Sequence, residues 1–155
     1  MIRAIVLAGA TAFAFGVLYQ VAWRMVTISA VIAALAWTAY QAILGSFSGS
    51  TGWAEFCGAL AVGVLSELGA FVLKQPALVL QVPSIIPFVP GYLVYESVLS
   101  FMRNHFLIGL EQGFRALMLA AALGLGLAMA TAVTRALIRR EGKNEGKNEE
   151  KTSSG

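Results

Sequence analysis

The chain has 155 residues, 58% hydrophobic and only 12% charged, with a mean hydropathy of +0.76 and a formal net charge of +3. Soluble domains typically carry about 25% charged residues, and a fold of this size cannot hide so much apolar surface, so the excess faces lipid. Composition therefore excludes a soluble domain and predicts an all-α integral membrane protein embedded in a lipid bilayer.

The same sequence argues against an enzyme. It contains no phosphate-binding loop, nucleophile elbow or nucleotide fingerprint. Its one cysteine, Cys57, cannot form an internal disulfide, and its one histidine, His105, has no second imidazole to share a metal. No cofactor, metal or nucleic-acid partner is expected.

Spanning the bilayer core takes about 20 mostly apolar residues. Five windows qualify: Ile2 to Ala22, Met25 to Leu44, Trp53 to Leu73, Pro76 to Phe101 and Phe114 to Ile138. The first resembles a signal peptide in its single Arg3 and its Ala8-Gly9-Ala10 triplet. Its apolar run, however, continues to Tyr19 and Trp23, beyond the roughly 7–15 residues of a signal. Those two aromatic residues suit the membrane interface.

The junctions differ. Arg24 nearly abuts the first two segments, residues 45–52 form an uncharged Gly/Ser-rich turn, and Lys74-Gln75 joins the third and fourth. The longest loop is expected from Phe101 to Gly113, with Arg103, Asn104, His105 and Glu111. Two regions follow: a five-helix membrane domain over 1–140 and a low-complexity tail over 141–155, expected to be disordered. With five spans, a cytoplasmic C-terminus collects Arg24, Lys74, Arg139 and Arg140 on one side, leaving Arg3 and Arg103 opposite. The positive-inside rule then puts the N-terminus outside and the C-terminus in the cytoplasm.

Small residues at a four-residue period mark candidate packing faces, since lipid supplies no hydrophobic drive for helices to associate. They are Ala4, Ala8, Ala12 and Gly16; Ala30, Ala34, Thr38 and Ala42; and Ala116, Ala120, Gly124, Ala128 and Ala132.

Two features carry chemistry. Glu67 lies seven residues before Lys74, about 10 Å along a helix, inside the hydrocarbon region where a carboxylate is costly and functional by default. It shares a face with Ala59, Gly63 and Ala70 and should point into the bundle. It is either a proton-exchanging or substrate-pairing group, or a structural carboxylate held by serines or Lys74. Glu55, beside Trp53 at its segment's start, is expected to be wetted at the interface.

The second feature is the fourth segment, with Pro83, Pro87 and Pro90. Each removes a backbone donor and clashes with the preceding turn, which predicts a broken helix with unwound backbone from Pro83 to Gly91. Such backbone is tolerated at membrane depth where it is buried or lines a watery cavity, and transporters build sites from it. The alternative is an extramembrane loop between two half-length helices. Tyr95 and Glu96 follow the break as further polar candidates.

These residues also carry a resemblance. Leu65-Ser66-Glu67-Leu68, Lys74-Gln75-Pro76-Ala77, the run from Val82 through Pro83-Ser84-Ile85-Ile86-Pro87 to Val89-Pro90-Gly91, and Tyr95 resemble the threonine/serine exporter (ThrE-type) family, in its C-terminal membrane half. A weaker likeness covers residues 15–21. Ser84 stands where the family usually has glycine, and Tyr92 where a second glycine often follows.

The resemblance implies a secondary exporter in a bacterial inner membrane. Its substrates would be small amino acids such as threonine and serine, or dicarboxylates such as succinate. A chain holding only this half is implied to be the small subunit of a two-component system, with a larger membrane subunit as partner. Glu67, Pro83, Ser84, Pro87, Pro90, Gly91 and Tyr95 are the implied substrate- or proton-binding candidates. The rival readings are a membrane scaffold that does not transport and a channel formed by self-association.

Overall fold

A computed structural model describes residues 2–46 and 51–153, with side chains described through Ala136. In order, the elements are α1 (Ile2–Leu18), α2 (Trp23–Ser46), α3 (Thr51–Leu73), α4 (Ala77–Ile85), a 3-10 turn (Ile86–Phe88), α5 (Gly91–Met102) and α6 (Phe106–Ser153). Lipid offers no partner for backbone N–H and C=O groups, so apolar runs of this length satisfy them internally as helices.

Among the described residues three helices are long and apolar enough to cross a membrane: α2, α3 and the Phe106–Ala136 part of α6. The α4–α5 pair, bent by 49° at its break, makes a fourth when taken as one span. The α1 helix is apolar but has only 17 residues, about 25 Å, at the short end of what crosses a bilayer.

Packing contacts fix the relative directions. Gly16 of α1 lies under Val26 near the start of α2, and Gly9 under Ala30 and Ala34, so these helices run antiparallel. Gly69 faces Ile32 and Gly58 faces Tyr40, so α3 runs back against α2. Gly69 also meets Leu80 while Gly58 meets Phe88, which makes α4 antiparallel to α3. Gly63 meets Ala130, and Gly126 meets Phe56 and Ala59, so α3 and α6 run parallel. Consecutive elements thus alternate in direction once α4 and α5 count as one descending unit. Arg24, Lys74 and Arg135 consequently fall at one end of the bundle.

Three connections close through non-glycine residues with positive φ. Gln20 (55°), Lys74 (51°) and Asn104 (62°) follow the ends of α1, α3 and α5. A left-handed residue just past a helix lets following N–H groups cap its last carbonyls. Gln75 N donates to Ala70 O, and His105 N to Ser100 O.

The last turn corrects the expected long loop. The connection between α5 and α6 is only Arg103–His105, and Glu111 already lies within α6. The tight turn lets α6 fold straight back: Ser97 Oγ donates to Gly109 O at 2.7 Å, and Gly109 sits beneath the Phe101 ring. The α6 backbone continues as helix to Ser153, through the stretch whose composition predicts disorder. The side chains of residues 137–155 and the turn residues 47–50 lie outside the described ones.

The packing faces are partly as the small residues foretell. Ala8, Ala12 and Gly16 are buried on α1, and Ala59, Gly63, Glu67 and Ala70 on α3. On α2 the buried stripe is Val26, Ser29, Ile32, Ala33 and Ala36, not the Ala30–Ala42 series, and Thr38 and Ala42 are exposed. On α6 only Ala116 of the expected series is buried; the true face is Ala116, Leu119, Leu123, Gly126, Ala130 and Thr134. A strict four-residue step advances 400° against a 360° turn, so such a series drifts by about 40° per step and leaves the contact face.

Candidate functional site

The proline segment is far less unwound than its sequence suggests. α4 runs through Pro83 to Ile85, continues as the 3-10 turn with Pro87, and leaves helical geometry only at Val89 and Pro90. The reading of open backbone from Pro83 to Gly91 is therefore corrected to a two-residue break. Burial of Pro83 inside the bundle holds the helix together where an isolated peptide would kink. Ser84 compensates locally: it is fully buried, and its hydroxyl lies 2.7 Å from Leu80 O and 2.9 Å from Ser29 O on α2. The serine at this usually glycine position thus ties the proline helix to α2.

Past Pro83 the turn aims Phe88 into the core. Gly58 of α3 makes the room: a Cβ there would come within 2.6 Å of the Phe88 ring. Phe88 joins Trp37 (centroids 5.2 Å apart) and Tyr40 (6.0 Å), which stack on each other at 5.0 Å. Beside this cluster a half-open groove of about 350 Å³ lies between α1, α2 and the 3-10 turn, lined by Ala4, Leu7, Ala8, Thr11, Trp37, Ile86 and Pro87. The indole Nε1 of Trp37 is buried with no hydrogen-bond partner. Thr11 is the other polar side chain of the groove's lining, and a buried donor without a partner is uncommon in a folded protein.

Glu67 is buried, and Arg135 Nε of α6 donates to its Oε1 at 3.2 Å. Its partner is thus neither a serine nor Lys74. The parallel packing of α3 and α6 delivers the arginine, while the Arg135 side chain itself remains 69% exposed. Next to Glu67, Ser66 is fully buried with an unpartnered hydroxyl. Gln81 of α4 and Ser29 of α2 are also buried, so polar side chains occupy the interior of three facing helices.

Glu67 and the break do not meet. Phe88 packs at Gly58, nine residues from Glu67 along α3, about 14 Å. Pro83, Ser84 and Gln81 lie nearer the level of Glu67, whereas Pro87, Pro90 and Gly91 belong to the groove end. Gly91 has open space around it, and Tyr95 is 61% exposed on α5, away from the interior.

Two residues were missed. Arg135 lies inside the fifth apolar window, and an arginine there signals the need for a partner as surely as Glu67 does. Glu55 is not wetted: it is 5% exposed, with Oε1 lacking a partner. Nothing in the sequence near the start of α3 reveals that cover, because Phe88 and Tyr40 arrive from distant segments. Among the described residues no group of acidic, histidine and cysteine side chains is placed to hold a metal ion.

No curated protein and no solved structure matches the chain. A family model does, the one described as threonine/serine exporter, ThrE, over residues 4–133. That match takes in α1 to α5, the break, Glu67 and most of the apolar part of α6, and with it the chain belongs to the threonine/serine exporter family.

Proposed function

We propose that this chain is the small membrane subunit of a secondary exporter, working in a bacterial inner membrane with a larger membrane partner of the same family. Its substrates are small amino acids of the threonine and serine kind, or dicarboxylates of the succinate kind. The observation that carries the reading is the Glu67–Arg135 pair, with its acid buried and its guanidinium exposed at the end of the apolar part of α6.

Both substrate classes carry a carboxylate, and a guanidinium is the side chain best shaped to take one. A substrate carboxylate exchanges with Glu67 for Arg135, opening the pair as it loads. The buried serines and Gln81 offer hydrogen bonds further in, and the groove beside Pro87 with its unpartnered Trp37 donor lies toward the opposite end. Arg24, Lys74 and Arg135 alone are matched by Arg3, Arg103 and Arg115 at the opposite end. It is Arg139, Arg140 and the lysines that follow in the sequence that make the loading end the more positive, in agreement with a cytoplasmic C-terminus under the positive-inside rule, which is the side from which an exporter loads.

The test is efflux of labelled serine and succinate from cells carrying both subunits, comparing wild type with Arg135→Gln. A charge-assisted hydrogen bond contributes about 1.5–3 kcal/mol, so half-saturating internal substrate should rise about tenfold or more. Unchanged efflux in Arg135→Gln at every substrate level would leave the pair purely structural and favour a scaffold role.

A further inference from the structure

The spanning part of α3 buries two carboxylates, and their surroundings differ. Glu67 has the Arg135 guanidinium. Glu55, twelve residues earlier and about 18 Å away, is buried with Oε1 unpartnered. From α2 the titratable group facing it is Tyr40, which lies within electrostatic reach of its carboxyl. The 3-10 turn presents Ile86, Pro87 and Phe88, and α6 presents Leu119, Leu123 and Gly126 on its buried face at that level. Among the described residues Glu55 has no salt-bridge partner.

Glu67 already has a countercharge at 3.2 Å. A carboxyl in low-dielectric surroundings without a countercharge is tolerated as the neutral acid and strongly disfavoured as the anion. It releases its proton only when water or a cation reaches it. The route is short in structural terms: Trp37 lines the half-open groove beside the break and stacks at 5.0 Å on Tyr40.

We propose that Glu55, rather than Glu67, carries the exchangeable proton of this protein, and that the Trp37–Tyr40–Phe88 cluster separates it from the groove. The coupling role rests on the exporter reading above; the proton site itself does not. In the step, the O–H bond of Glu55 breaks, its electron pair stays on the carboxylate, and the proton passes to water on the side of the bundle away from the groove; the groove, past the aromatic cluster, is the side of reprotonation. Tyr40 supplies a hydroxyl within electrostatic reach of the anion. Reprotonation from the other side restores the acid, and no redox partner is involved. Coupled to export, one proton enters as substrate leaves.

The experiment is infrared spectroscopy of the full chain in liposomes across a pH series, following the carbonyl stretch of protonated carboxyl groups. Glu55→Gln is expected to remove one such band that wild type shows at neutral pH, whereas Glu67→Gln leaves it in place. Should Glu55→Gln fail to insert, Glu55→Asp keeps an acid there and is expected to shift the band rather than abolish it. A band unchanged in both Glu55 variants, or lost in Glu67→Gln, overturns the assignment. Serine and succinate efflux under an imposed pH gradient is measured alongside, with the partner subunit present. Loss of the gradient's effect in Glu55→Gln supports coupling, and an undiminished effect refutes it. A wild-type band with no efflux of either compound refutes the exporter reading and leaves the proton site standing.

Discussion

Arg135 is exposed on the bundle surface and Glu67 is buried, and that asymmetry decides what each substitution does. Arg135→Ala strands a buried carboxylate. Breaking a fully buried pair costs about 3–5 kcal/mol, and the exposure of Arg135 at the end of its span brings this down to the order of 1–2 kcal/mol. Glu67→Gln leaves the guanidinium on the bundle surface and costs less. Thermal unfolding in detergent is therefore expected to show a lower Tm for Arg135→Ala than for Glu67→Gln, with the double variant recovering part of the loss. A double variant equal to the sum of the singles shows that the two groups are uncoupled. Glu67 was legible as an intramembrane acid because it sits deep in the apolar window from Trp53 to Leu73. Its partner lies 68 residues away, and only the parallel contact of α3 with α6 brings them together. Glu55 was misread for the same reason: two aromatic residues from α2 and the 3-10 turn pack over its face of α3.

Between elements, close approach depends on glycine. A Cβ on Gly126 would sit 2.6 Å from Phe56 O and 2.9 Å from the Ala59 Cβ. Backbone cannot swing aside as a flexible side chain can, so Gly126→Ala must push α6 off α3, at roughly 1–3 kcal/mol as for other overpacked sites. It also displaces Arg135 from Glu67. Gly124, one half-turn away, has open space around it, and Gly124→Ala is expected to be neutral or slightly stabilising through helix propensity. Melting temperatures of the two variants check this directly; equal effects contradict the packing described. The contrast also shows what a small-residue pattern can tell. Gly124 belonged to the expected stripe and faces away, while Gly126 did not and makes the contact. Periodicity reveals that a helix has a small face but loses its phase over four or five turns. The prolines teach the converse. Their positions announced a break, yet packing around buried Pro83 and the Ser84 hydroxyl confined it to Val89–Pro90.

Over the whole molecule, alternating helix directions leave the described ends of α1 and α6 at opposite ends of the bundle when α1 counts as a span. Cysteine labelling after Arg140, in a background with Cys57→Ala, is expected to react only from the cytoplasmic side. Labelling from outside inverts the orientation and moves Arg135 to the exit. The membrane class and the helical order were readable from composition and apolar runs alone, because the bilayer sets span length. How the spans touch was not, since lipid-facing and buried residues are equally apolar here: Val72 is 78% exposed and Val62 fully buried on the same helix. The central claim is carboxylate export by this chain together with a larger partner. It is tested most directly by reconstituting the chain in liposomes with and without the larger family member, and following efflux of preloaded labelled serine and succinate. Expected is saturable efflux of at least one of the two only when both proteins are present, weakened by Arg135→Gln. Saturable efflux by this chain alone, or none from the pair, contradicts it.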